Sequence, residues 1–144
     1  MTILVALYEW LIASTYVTAL TSTRIYCEKA PKDPTFPYVV LGIDTSTPTN
    51  HLGGESGHEN TIVSIECYAR DPKGALEAGR VAEVIRQRIS GYRGLWGDVF
   101  VQECTREAGP FITSDPPRDG SDNWTFRMVT TYSTHFNQSI PSFV

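Results

Sequence analysis

Residues 44–60, DTSTPTNHLGGESGHEN, gather His51, Glu55, His58 and Glu59 within nine positions. Two imidazoles and two carboxylates are ligand types that hold a divalent metal and activate a bound water. Such centres take their ligands from rigid elements steadied by further hydrogen bonds. This segment instead carries Gly53, Gly54 and Gly57, which gives it backbone freedom to lose. Solvated side chains on a loop are the better reading, and no metal is assigned; His135 is distant in sequence and adds little. Nucleophilic chemistry has no better footing, because no GxSxG elbow and no Cys with a nearby His occurs. Cys67 and Cys104 read as small core residues. GGESGH matches a phosphate loop only in glycine, lacking the Lys-Ser/Thr ending and the helix that should follow. No catalytic and no cofactor-binding residue is assigned, and no cofactor is expected. A small metal-dependent hydrolase using His51, Glu55 and His58 stands as the alternative from another class.

The balance of the chain bounds what else it can be. At 144 residues and 41% apolar content, residues 1–144 suit one domain with one core. A formal charge of −4 argues against gripping nucleic acid through its phosphates. Arg24, Lys29, Lys32, Arg118 and Arg127 have aromatic residues near several of them, but on an acidic chain solubility and subunit complementarity explain them. Trp96, Trp124 and Tyr92 read as core or interface anchors. Cys27, Cys67 and Cys104 are odd in number with no CxxC pair, which fits a reducing compartment.

These residues need elements to place them. The first 23 residues hold one charge, Glu9, and lack both a cationic leader and an uninterrupted apolar span. Leu4, Leu7, Tyr8, Leu11 and Ile12 fall on one side at helical spacing, so one amphipathic helix packing on a sheet is expected, and no membrane. Ile25 and Tyr26 begin an extended segment, and Pro31, Pro34 and Pro37 keep it from becoming helix. Tyr38–Ile43 reads as a strand at an edge or first position. Residues 44–60 read as a long surface loop, and loops longer than about 12 residues are usually functional. In TIVSIECYAR, Val63, Ile65, Cys67 and Ala69 alternate with polar neighbours as a half-buried strand. Asp71 and Pro72 then signal a helix start, and Ala78, Val81, Ala82, Ile85 and Ile89 share its inner side. GDVFVQECTRE and NWTFRMVTTYSTHF follow as strands, joined by a turn-rich loop.

Helix, strand, strand, helix, strand, strand predicts an α+β sandwich, with two helices on one face of a mainly antiparallel four-stranded sheet and long loops. Tyr68, Phe100 and Trp124 or Val129 fall to the second face, which is expected to be covered by the loops or by a neighbour. Residues 136–144, FNQSIPSFV, read as a tail with apolar groups and no place in the sheet. Segments 46–59 and 136–144 are therefore the candidate binding surfaces, with His51, Leu52, Glu55 and His58 in the first and Phe136, Ile140, Phe143 and Val144 in the second.

The leading helix, RIYCEKAPKDPTFPYVVLG, IVSIECYARDPKGALEAGRVAEVIRQRI and WTFRMVTTYS together resemble the tail-terminator or tail-completion proteins of long-tailed bacteriophages and gene-transfer particles. Arg24, Ile25, Tyr26, Pro31, Pro37, Tyr38 and Val39 match that family's Arg-Ile-Tyr, proline and Pro-Tyr-Val pattern. The resemblance implies a non-enzymatic virion protein, assembled in the host cytoplasm, that forms a ring, usually six-fold, on the head-proximal end of the tail. Its implied partners are copies of itself, the tail tube protein and the head connector or stopper, with DNA passing through unbound. The alternative is another joint component, a head-completion stopper or a tube subunit. Ring closure fits the sequence, since a ring needs two different complementary patches on each subunit.

Overall fold

The computed structural model describes residues 2–138, Ser142 and Phe143, apart from the side chains of His51 and Glu55. At its centre lies the strand that the alternation predicts. Val63, Ile65, Cys67 and Ala69 are buried, while Ser64, Glu66 and Tyr68 between them are half-exposed. That period of two means one covered face and one open face. In chain order the elements are α1 (Ile3–Ile12), α2 (Thr15–Thr21), β1 (Ile25–Cys27), β2 (Tyr38–His51), β3 (Gly54–Arg70), α3 (Gly74–Ile89), β4 (Gly94–Trp96), β5 (Val99–Asp115) and β6 (Thr125–Asn137).

The sheet order is β1-β2-β3-β6-β5-β4, antiparallel except for the parallel pair β1–β2. This corrects the expected two helices on a four-stranded antiparallel sheet: among the described residues the sheet is six-stranded and mixed, with three helices. The added strands are three-residue pieces too short to show a period. Residues 28–37, with their prolines, form the crossover that a parallel pair requires. The single leading helix is broken in two. Ser14 Oγ accepts the Val17 N–H at 3.4 Å as the N-cap of α2, and the chain turns by 86° between α1 and α2. No single described helix is long and apolar enough to cross a membrane, and α1 and α2 bury Leu4, Leu7, Leu11 and Val17 in the core.

Helix α3 buries Ala78, Val81, Ile85 and Ile89 as its spacing predicts. Asp71 does not cap it; Lys73 is the N-cap, and Asp71 instead accepts the Trp124 N–H at 3.2 Å, tying the start of α3 to β6. At its other end Arg88 donates to the Trp10 carbonyl at 3.0 and 3.2 Å and lies 3.8 Å over the Trp10 ring, whose Nε1 donates back to the Arg88 carbonyl. That reciprocal clamp locks α1 onto α3.

The first long loop is absent as a loop, and the second is shortened to residues 116–124. Thr45–Pro48 pair with Ile62–Glu59 and His51 pairs with Gly54, so residues 44–60 are the outer part of a β2–β3 hairpin with Leu52–Gly53 as its turn. Likewise β5 continues to Asp115 beside Thr125 at the start of β6. Residues 43–50 are exposed throughout. With neither face buried, the polar/apolar alternation that announces a strand never develops.

Burial in this core has a measurable signature. Cys67 is pushed up to about 12 from the usual 9.0 by burial and then by the Glu66 carboxylate, and Cys104 to about 12 by burial. A thiol harder to ionise when folded than when unfolded adds stability that is whole below pH 9 and lost as pH climbs toward 12. The loss is about 1.4 kcal/mol per pH unit per thiol. The melting temperature should therefore fall progressively above pH 9. Cys67→Ala should make that decline shallower by one proton, and an unchanged slope would count against the account.

A projecting hairpin and two open sheet edges

Strand β3 is paired with β6 only from His58, opposite Asn137, so residues 49–57 stand beyond the end of β6. The root of this hairpin is fastened. Ser46 Oγ lies 2.9 Å from Thr61 Oγ1, Gln138 Nε2 donates to Glu59 at 2.5 Å, and the Gln138 N–H donates to the Gly57 carbonyl at 2.7 Å. Nearer the tip, Ser56 Oγ donates to the Thr49 carbonyl at 2.8 Å. Leu52 in the turn is fully exposed, at 110% of its reference area. Gly54 follows at φ 115°, which only glycine adopts freely.

The residues singled out by sequence separate on the fold. His51 and Leu52 lie at the tip and Glu55 just after it, while His58 sits at the root. His58 stacks on His135 with centroids 5.9 Å apart, and its Nδ1 lies 3.3 Å from Asn137 Oδ1. His135, remote along the chain, is thus the residue that meets His58, because β3 and β6 are neighbours. Among the described residues no three His, Cys, Asp or Glu side chains converge as a metal site. Phe136, expected in a free tail, is a core side chain of β6 at 1% exposure. Phe143 is 95% exposed, and Ile140 and Val144 lie outside the described residues.

The face of the sheet away from the helices is covered only in part: residues 44–60 are strand and turn within the sheet, while residues 116–119 border a hollow with Tyr38, Tyr68 and Arg70. One end carries an aromatic cluster: Tyr38 stacks on Tyr68 at 4.7 Å, with Phe36 at 5.2 Å and Tyr26 at 6.1 Å from Tyr38. Arg70 covers Phe36 at 4.9 Å. Arg127 bonds Glu66, which also accepts from Tyr68 Oη at 3.0 Å. Burial and then the hydrogen bond to Glu66 push the Tyr68 phenol up to about 12. Val129 belongs to this face as expected, opposite Glu66 on β3 and the exposed Phe111 on β5.

The sheet also has two open edges: one on β2, whose start at Tyr38–Ile43 was expected at an edge or first position and is instead covered by β1 at Val39–Leu41, and one on β5, which the sequence did not reveal. β1 covers β2 only at Val39–Leu41, and β4 covers β5 only at Val99–Val101. Among the described residues no strand pairs with the outer side of β2 from Gly42 to His51, or of β5 from Gln102 to Asp115, and on β5 the Gly91 N–H donates to the Cys104 carbonyl at 2.7 Å, so that edge is free from Thr105 onward. The chemistry available here is recognition, by main-chain hydrogen bonds along edges and by an apolar group at the hairpin tip.

A family model described as tail completion protein gp17 matches residues 5–134. Among solved structures, a chain of the virion of a native gene transfer agent particle superposes with a TM-score of 0.70 at 17% identity. The match covers 94% of this chain and 95% of that one. At that identity the likeness speaks for the fold. A second solved chain, 14% identical over 91% of each chain, reaches a TM-score of 0.47 and carries no argument. No curated protein matches the chain.

Proposed function

The chain belongs to the tail completion protein gp17 family, structural virion proteins of bacteriophage tails, and from that premise we propose that it is a tail terminator. In this reading copies of the chain form a ring, six-fold by the family resemblance, on the head-proximal end of the tail tube. The ring ends tube growth and offers the surface to which the head connector docks.

The hairpin is the observation that carries the reading. A fully exposed leucine at the tip of a two-stranded arm that is braced at its root and stands beyond the rest of the sheet holds an apolar group out where a partner can cover it. The tube tip or the next subunit is that partner, with the His51–His58 segment as the contact. The exposed Phe143 extends the contact surface at the other terminus. An acidic subunit, at −4, lets DNA pass the ring without holding it.

A head-side stopper or a tube subunit would share the small size and the open edges, and imaging separates them. Particles made without this chain should show overlong tails free of heads. Full heads that leak their DNA beside tails of normal length would instead assign it to the head side.

A further inference from the structure

We propose that the ring closes by strand addition, the open edge of β2 in one copy pairing antiparallel with the open edge of β5 in the next. The inference rests on the ring reading above and names the surface that makes it. β2 and β5 sit toward opposite edges of one sheet, so a contact between them is head-to-tail and propagates around a ring. Direction permits it. β2 runs opposite to β3, β3 opposite to β6 and β6 opposite to β5, so β2 and β5 run in opposite senses and side-by-side copies present an antiparallel pair.

The short strands β1 and β4 set the register. Thr45 lies level with Ile62, Ser133 and Thr105 across the sheet. β1 therefore blocks β2 below that level and β4 blocks β5 above it. Two copies brought together without sliding would set β1 of one against the open half of β5 of the other. Sliding the neighbour along the strand direction removes that conflict, and closing a sheet with such a stagger tilts its strands to the axis, as in barrels.

Both edges are also kept from pairing freely. Pro48 interrupts the donors of β2 and Pro110 those of β5, and each strand is irregular near its proline. One such joint is weak, which suits a subunit that must not polymerise on its own. Several joints closing together on a tube tip are not weak.

Disulfide trapping reads this directly. In a Cys27→Ser background, which removes the exposed thiol and leaves the buried Cys67 and Cys104, Thr47→Cys is combined in turn with cysteine at each position from Glu103 to Thr113 except Cys104, Gly109 and Pro110. Tails assembled with these variants are oxidised and run under denaturing conditions. At least one pairing should give a ladder of subunit multiples up to the full ring, while Thr47→Cys alone gives none and Thr47→Cys with Leu76→Cys on α3 gives none. Capped tails of normal length with no ladder from any pairing would overturn strand addition while leaving the terminator reading standing. A dimer from Thr47→Cys alone would overturn it in favour of β2 meeting β2. Tails of normal length without any copy of the chain would instead remove the terminator reading itself.

Discussion

Replacing Thr49–Ser56 with Asn-Gly is expected to leave the unfolding transition of the subunit nearly unchanged while tails emerge uncapped and overlong. The stability half follows from what the segment touches. Residues 49–57 lie beyond β6, and the replaced positions contribute no residue to the hydrophobic core. Surface changes of this kind usually stay within about 0.5 kcal/mol. The root is spared, so the bonds from Ser46 to Thr61 and from Gln138 to Glu59 persist. Sequence alone places the removable loop at 46–59. The structure moves the safe limit inward, because cutting through Glu59 would strip β3 residues paired with Phe136 and Asn137.

The functional half follows from Leu52. Burying a leucine against a partner contributes roughly 1.5–3 kcal/mol, or about ten- to a hundredfold in affinity at each subunit. Around a ring those losses compound. Electron microscopy of tails and the infectious or transfer titre would read the result. Head-joined tails of normal length from the shortened variant would end the argument.

What was legible in the chain depended on whether water and core divided each element. β3 and α3 are sharply divided, and Val63, Ile65, Cys67, Ala69 and Ala78, Val81, Ile85, Ile89 were readable from spacing alone. Residues 43–50 and 111–115 are strands exposed on both sides, so their composition looked like loop. A signal was nonetheless present: Thr45, Thr47 and Thr49 are β-branched, and the glycines at 53 and 54 flag a tight turn, which the structure makes at Leu52–Gly53. The break after α1 was also written, in Ser14 as an N-cap. The open edge of β5 was not written at all, and that of β2 only as the edge or first position expected of Tyr38–Ile43. An edge is a statement about which strands lack a neighbour, and that follows from topology, which the three-residue strands β1 and β4 decide. The encounter of His58 with His135 has the same origin, a pairing between strands more than 50 residues apart.

Gly109→Val is expected to cost about 3 kcal/mol or more and to detach the far half of β5 while the centre of the sheet holds. Gly109 has φ 92°, where a β-branched residue is strained by about 1–3 kcal/mol. A side chain there also has nowhere to go. Its Cβ would stand 2.6 Å from the Val129 carbonyl oxygen and 3.1 Å from Thr130 Cα, both backbone atoms of β6 that cannot swing aside. The strand must lift, and the pairs from Phe111–Val129 to Asp115–Thr125 go with it. Val99, Val101 and Cys104 remain anchored in the core, so the damage should stop short of unfolding. Hydrogen exchange would show protection lost at Phe111–Asp115 and on the facing side of Thr125–Val129, with Val63–Cys67 still protected. The same lift would ruin the outer edge of β5, so a variant that remains folded yet fails to cap tails ties the bend at Gly109 to assembly. An unchanged denaturation midpoint with intact protection would mean that the close approach of β5 to β6 is dispensable.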